Sequence, residues 1–355
     1  MTSGTEGRDS TPLRVTVVLG DDSSPEVVRP TMDLVSAVAP RIEWVEVDPD
    51  GLAAARDAID ASAATLFGAA SGRCVPLLRY LRWGKGTYAN VRPIRRLPST
   101  ATPLREAEGI DFVIVRENLE DLYIGLEGPW SDLAPLGLGD RPELPRQADT
   151  EGRFALKAVT PEGVENVART AFGIARRRAR QRGDTAHLVV GTKHNVLPVT
   201  DGLFRDVTLR VADDFPDVKV TSYLADDLAR RMVVAPQDLD VVLLPNLYGD
   251  ILSDLAAGLV GGLGVAGSGC YGRHFAYFEP SHGTAPDLTG KGLINPTAQI
   301  LSAVMMLEHL GLTDAAARLD AAVVRVYRDA TSLTADQGGS ASTEEFAAAV
   351  RAGLN

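Results

Sequence analysis

The chain has 355 residues, 45% of them hydrophobic and 23% charged, enough to build two or three lobes with proper cores; a disulfide-stapled miniprotein and a disordered chain are both excluded. Its 36 Lys and Arg against 47 Asp and Glu leave a formal net charge of −11, which argues against a broad phosphate-binding surface and so against nucleic acid. An acidic ligand would need a local cluster of cations. Cys74 and Cys270 form neither a CxxC nor a framework of pairs, the usage of a reducing, cytoplasmic setting. The first eleven residues carry Glu6, Arg8 and Asp9 and no apolar run, so they read as a disordered tail rather than a signal peptide.

Arg14 to Leu19 is a β-branched run, closed by the turn-like Gly20 to Pro25, and Glu26 to Val38 then has helical spacing. A strand at Ile42 to Val47, a helix from Gly51 to Ala61 and an apolar strand at Thr65 to Gly68 repeat the pattern, which predicts parallel pairing. Further strands are predicted at Phe112 to Arg116, Phe154 to Val159, His187 to Thr192, Val218 to Tyr223 and Val241 to Leu244. Four prolines and several glycines between Gly128 and Gly152 predict a long loop or arm. Thr160 and Pro161 then read as an N-cap and N1 of an amphipathic core helix, whose basic end, Arg176 to Arg182, suits the negative pole of the helix and faces solvent. Leu255 to Gly272 is uncharged, but its seven glycines rule out a membrane span; it reads as a buried helix end followed by a glycine loop.

Gly262 to Gly267 matches GxGxxG, yet a helical pattern precedes it where a dinucleotide fingerprint needs a strand, so it is read as a decoy. Cys270 and His274 lack the second pair a zinc site requires. The sharper signal is Asn246 to Asp254, where Asp250 and Asp254 lie four apart at a predicted helix start and share one face. A hard divalent cation would satisfy both, and without it the loss of either charge should be a relief.

Six stretches together resemble the β-decarboxylating dehydrogenases, the family of isocitrate, homoisocitrate, 3-isopropylmalate and tartrate/D-malate dehydrogenases. They are ATLFGAA (64–70), YANVRP (88–93), VIVRENLEDLYIG (113–125), TKHNVLPVTDGLF (192–204), PNLYGDILSDLAAGLVGGLG (245–264) and FEPSHGTAPDLTGKGLINPTAQILSA (278–303). The resemblance spans nearly the whole chain. It implies an α/β fold of the isopropylmalate dehydrogenase type, a central mixed sheet flanked by helices and not a classical Rossmann fold. It also implies two lobes: a discontinuous cofactor lobe, 1–97 and 258–355, and a small lobe, 98–257, with the dimer interface and the arm, 128–152.

The implied reaction oxidises a 2-hydroxy diacid bearing a 3-carboxylate and then releases carbon dioxide. By the same resemblance Arg82, Arg92 and Arg116 clamp the polyanion, with Asn195 beside it. Tyr123 protonates the enolate, and Lys193 serves as base for the 2-hydroxyl directly or through water. Asp226, Asp250 and Asp254 hold Mg²⁺ or Mn²⁺, with Lys193 and Asp226 entering from the partner subunit of a homodimer. The cofactor site comprises Glu279, His282, Gly283, Thr284, Ala285, Asp287 and Asn295. A carboxylate at Asp287 suits the ribose hydroxyls and repels a 2′-phosphate, which favours NAD over NADP.

The chain departs from the family pattern at the mouth of the site. GDDSSPE stands where GDGIGPE is usual, the segment from Gly68 to Pro76 is short, and Trp83 to Thr87 replaces a leucine-aspartate stretch. His194 and the charged Asp227, Arg230 and Arg231 are further differences. Arg79, three residues before Arg82, resembles the basic residue of homoisocitrate dehydrogenases and points to a 3-substituent with an anionic tail, homoisocitrate or isocitrate first. A phosphonate analogue of isocitrate, 3-isopropylmalate, tartrate or D-malate, and a non-catalytic regulatory paralogue are the alternatives. The pocket reading treats Arg79 as buried or half-buried.

Overall fold

A computed structural model of the chain describes residues 12–136 and 152–354. The expected tail at 1–11 and most of the expected arm lie outside the described residues. In chain order come β1 (Leu13–Val18), α1 (Pro25–Val38), β2 (Ile42–Glu46), α2 (Leu52–Asp60), β3 (Ala64–Phe67), α3 (Val75–Arg79), β4 (Ala89–Arg95), β5 (Asp111–Glu117), β6 (Glu127–Pro129), β7 (Arg153–Ala155) and α4 (Pro161–Arg182). Then follow β8 (Ala186–Thr192), α5 (Thr200–Val211), β9 (Val218–Leu224), α6 (Ala225–Val234), β10 (Val241–Leu244), α7 (Asn246–Val260), β11 (Gly267–Tyr271), β12 (Ala276–Pro280), α8 (Thr297–His309), α9 (Thr313–Asp329) and α10 (Thr343–Ala352).

The chain forms two compact units, Met1–Ile114 with Met232–Leu239 and Leu252–Asn355, and Val115–Arg231 with Asp240–Ile251. The divisions at 114/115 and 251/252 fall inside β5 and α7, each of which runs unbroken through its division.

In the first unit the strands lie in the order β2-β1-β3-β12-β11-β4. β1 pairs in parallel with β2 and β3, and β3 with β12, whereas β11 runs antiparallel to β12 and β4, so the sheet is mixed. One face packs Val15, Val17 and Leu66 against α1, α8, α9 and α10 through Leu34, Ile300, Leu319 and Phe346. Another core joins Val18, Phe67 and Tyr277 to Ile59 of α2 and Leu77 of α3. β3 and β12, buried along nearly all of their length, read as apolar runs rather than alternating ones, whereas β2 carries Glu43 and Glu46 and is largely half-buried or exposed.

Gly267–Tyr271 is a buried strand, not the loop expected there. Its glycines answer to their neighbours, since a Cβ on Gly267 would stand 2.9 Å from the Leu301 Cβ and one on Gly269 would stand 2.9 Å from the Phe278 ring. The GxGxxG stretch therefore follows a helix and leads into a strand, the reverse of the order that cradles a pyrophosphate.

In the second unit β8 pairs in parallel with β9 and β10, and α4 and α5 pack on it. The apolar face of α4, Val164, Val167, Ala168, Ala171, Phe172 and Ala175, is fully buried. Thr160 caps this helix by accepting the Gly163 N–H at 3.1 Å, and left-handed Gly183 ends it. Thr160→Ala should cost about 1 kcal/mol in urea unfolding, with the folded secondary structure unchanged. The basic end of α4 pairs with acids: Arg178 and Arg182 reach Asp240 at 2.7 and 3.0 Å, and Arg176 bonds Asp217 while lying over Phe215 at 4.3 Å. The expected strand at 154–159 shortens to β7, paired antiparallel with β6. Among the described residues no helix is long and apolar enough to cross a membrane.

Candidate active site

In the second unit Arg116 ends β5 almost fully buried, at 2% side-chain exposure. Its Nε donates to Asn246 Oδ1 at 2.9 Å, its Nη1 bonds Asp250, and its guanidinium lies 4.7 Å from the Tyr123 ring centroid. Tyr123 sits on a short 3₁₀ turn, Leu122–Ile124, and its hydroxyl also donates to Asp250. Burial, followed by the bond to Asp250, raises the Tyr123 pKa and keeps the phenol protonated at neutral pH. Gly249 makes room for this cluster, because a Cβ there would stand 2.5 Å from Arg116 Cγ.

Lys193 follows β8, and its Nζ lies 2.6 Å from Asp226 Oδ1 at the start of α6. That bond to Lys193 holds the exposed Asp226 carboxyl below its usual range. Asn195 is exposed. Asp227 pairs with Arg230 and Arg231 at 2.8 Å, so one carboxylate is shared by the two guanidinium groups of α6. Among the described residues no three His, Cys, Asp or Glu side chains of one chain are grouped as a metal site, and Asp226 pairs with Lys193 within the chain.

In the first unit Arg92 projects from β4 at 6% exposure. Its Nε donates to Asn90 Oδ1 at 2.7 Å, and its Nη1 reaches Ser253 Oγ at 2.6 Å and Asp254 Oδ1 at 3.5 Å. The turn after α3 is a π-helix, Tyr80–Gly84, whose i→i+5 bonds put more than ~4 residues in each turn. Arg82 Nε is buried and its guanidinium lies 5.5 Å from the Trp83 ring, whereas Arg79 is exposed, not buried or half-buried as the pocket reading has it.

Across the cofactor candidates, Gly283 and Asp287 are exposed and Thr284 and Ala285 half-buried. The His282 Nδ1 lies 2.8 Å from the Gly283 carbonyl, which makes Nδ1 the protonated nitrogen. Burial lowers the His282 pKa, so the neutral ring leaves Nε2 as an acceptor. Glu279, half-buried on β12, lies 3.9 Å from the Cys270 sulfur. The buried Asn295 is engaged inside the unit: its Nδ2 donates to Asp336 at 3.0 Å and Tyr327 at 3.2 Å, and its Oδ1 accepts the Thr297 N–H at 3.0 Å.

The altered first loop has a local explanation. Asp21 Oδ2 accepts the N–H groups of Ser71, Gly72 and Cys74 at 2.9, 2.9 and 3.2 Å, which ties residues 20–24 to the short 68–76 segment. Burial works to raise the Asp21 pKa, but the three backbone donors outweigh it and hold the carboxyl below its usual range. Gly20, at φ +81°, approaches the Ala69 carbonyl so closely that a Cβ would stand 2.5 Å from it.

The family model described as isocitrate/isopropylmalate dehydrogenase matches residues 14–350. The chain belongs to that family. It is 40% identical to the isocitrate/homoisocitrate dehydrogenase of Thermus thermophilus, over 95% of this chain and 97% of that one. It is 37% identical to the 3-isopropylmalate dehydrogenase of Archaeoglobus fulgidus, over 94% and 97%. The crystal structure of isocitrate dehydrogenase from Methylococcus capsulatus superposes with a TM-score of 0.80 at 30% identity, covering 96% of this chain and 99% of that one. Membership makes the chain an oxidoreductase of hydroxy acids and assigns the α/β fold with its mixed sheet.

Three residues inside the quoted stretches had no role assigned to them there. Asn90 orients Arg92 from two positions away on the same strand face, a period-2 relation visible in YANVRP. Ser253 and Asn246, both within 245–264, hold Arg92 and Arg116 from α7, and only the fold reveals these long-range pairings.

Proposed function

We propose that the chain is a metal-dependent, NAD-linked dehydrogenase that converts a 3-substituted malate with an anionic tail into a 2-oxo acid, CO₂ and NADH. Homoisocitrate and isocitrate are the leading substrates, and the soluble cytoplasm is the setting. One observation carries the reading: Arg116 and Tyr123 converge on Asp250, which brings an anion clamp, a proton donor and a candidate metal carboxylate together.

The donor set fits a hard cation, since Asp250 and Asp254 offer carboxylate oxygens one helical turn apart. Asp226 from a second copy would complete the site, and Mg²⁺ or Mn²⁺ there would supply Lewis-acid polarisation of the substrate's C2 oxygen. NAD would accept the hydride from C2. The arginines now bonded to the two carboxylates suit the exchange of partners that a polyanion with its cation brings, each charge keeping an opposite neighbour. Lys193, once its own ammonium proton has passed to solvent, would receive the 2-hydroxyl proton directly or through water. After CO₂ leaves C3, Tyr123 gives its phenolic proton to that carbon, and the raised pKa keeps the proton available. The His282–Asp287 loop would hold the cofactor, with the exposed Asp287 carboxylate toward the ribose hydroxyls.

A homodimer with shared sites agrees with the apolar surface left on α6, α7 and the β6–β7 region. Val234 is 62%, Ile251 57% and Leu126 58% exposed. NADH formation from a panel of 3-substituted malates with Mg²⁺ tests the function. Absence of turnover with every member, in a folded dimer, would replace the enzyme by a binding or regulatory paralogue. Within that panel Arg79→Val should lower kcat/KM for homoisocitrate by ~10-fold, the lower end for a charge-assisted bond because Arg79 is exposed. It should favour 3-isopropylmalate in relative terms. An equal effect on both acids would remove Arg79 from the pocket.

A further inference from the structure

Lys157 lies in none of the site motifs, yet it is one of only five lysines and its side chain is 12% exposed. Its Nζ stands 2.6 Å from Asp201 Oδ1 and 3.4 Å from Asp121 Oδ1, and 4.8 Å from the Tyr248 ring centroid. The two carboxylates are buried, at 0% and 2% exposure. Two buried anions on one cation leave one negative charge over, and backbone donors answer it. Those donors belong to segments that carry proposed reacting groups.

Asp201 Oδ2 accepts the backbone N–H of Lys193 at 2.6 Å. Asp121 Oδ1 accepts the N–H of Leu122 at 2.8 Å, at the entrance to the turn that presents Tyr123. Asp121 Oδ2 accepts the N–H of Leu247 at 3.0 Å, in the first turn of α7, three residues before Asp250. The helix pole favours an anion at that place. Asp121 adopts φ +67°, a conformation costly for a residue with a side chain, and its N–H bonds the Ala158 carbonyl at 2.8 Å, next to Lys157.

We infer that Lys157 is a positioning residue: through Asp121 and Asp201 it sets the backbone of both proton-transfer groups, Tyr123 and Lys193. The inference rests on the proposed roles of those two residues. If Lys193 serves the partner's site, each Lys157 supports one group in its own site and one in the partner's, and both sites of a dimer feel a single substitution.

Lys157→Met keeps the stem and removes the charge. In the homodimer it should lower kcat ~10- to 100-fold while KM for substrate and for NAD stays within ~3-fold, because the cluster's carboxylates hold the backbone at Lys193 and Leu122, beside the two proton-transfer groups. Lys157→Arg, able to bridge both carboxylates, should recover most of the rate. A residue that only holds the fold would lower Tm and leave kcat unchanged below melting, and that result would overturn the inference. Where Lys157→Met does not yield a folded dimer, the charge-balanced Lys157→Met/Asp201→Asn variant takes its place in the same measurements, and a wild-type kcat there overturns the inference equally.

Heterodimers isolated with two affinity tags test the two-site effect. Tyr123→Phe paired with wild type should retain about half of wild-type activity, since one site stays whole. Lys157→Met paired with wild type should fall well below half, because each site then contains one misplaced group. A value of half would overturn the two-site inference. Pairing Tyr123→Phe with Lys193→Met reports separately on whether sites are shared, so failure of that underlying reading is distinguishable from failure of the role given to Lys157.

Discussion

Asp250→Asn should abolish turnover, with kcat at least ~10³-fold below wild type, corresponding to about 4 kcal/mol of lost transition-state stabilisation. The carboxamide keeps the size of the side chain but loses the charge that would hold a divalent cation. The structure adds a second consequence. Two carboxylates on one helix face invite the view that removing either relieves repulsion, but Asp250 is the ion-pair partner of the buried Arg116 and the acceptor of the Tyr123 hydroxyl. Its neutralisation leaves a buried guanidinium short of an anion, so Tm should fall rather than rise. Asp254→Asn should cost activity to a similar degree but stability less, because Asp254 is 51% exposed and its contact to Arg92 is longer, at 3.5 Å. Activity can be followed by NADH formation with and without EDTA, and stability by thermal melting of the same dimers. Unchanged turnover in EDTA would remove the metal from the proposal, and a rise in Tm for Asp250→Asn would remove the ion pair from its energetics.

The parts of the molecule legible in the sequence are those whose cause is local. Arg14 to Leu19 and the apolar face of α4 carry their periodicity in consecutive residues, and Thr160 announces its helix by chemistry within three positions. The strand at Gly267–Tyr271 is not legible in this way. Its glycines look like loop residues until Leu301 and Phe278, from α8 and β12, are seen to occupy the space of the missing side chains. Arg79 and Arg82 stand three apart, yet Arg82 Nε is buried and Arg79 is exposed, a difference that no residue type signals. The site motifs name Arg116 and Asp250, but their pairing joins positions 134 residues apart. The same holds for Lys157 with Asp121 and Asp201, where each residue alone reads as an ordinary surface charge.

Mixing two inactive variants should restore activity if the sites are shared as proposed. Lys193→Met removes the base and Tyr123→Phe the proton donor, and each homodimer then lacks one group in both of its sites. In a heterodimer one site inherits both lesions and the other inherits neither, so each heterodimer should work at about half the wild-type rate. Random exchange at equal concentrations makes about half of all dimers mixed, and the whole solution should reach about a quarter of wild-type activity. The physical basis lies in the pairing of Lys193 with Asp226 at 2.6 Å. A base and a metal ligand joined by an ion pair travel as one unit, so both would enter the same site, whichever subunit owns it. Asp226→Asn should therefore complement in the same pattern as Lys193→Met: recovery with Tyr123→Phe and none with Lys193→Met. If confirmed subunit exchange yields no recovery with Tyr123→Phe, then Tyr123 and Lys193 act within one subunit, and the dimer has two self-sufficient sites.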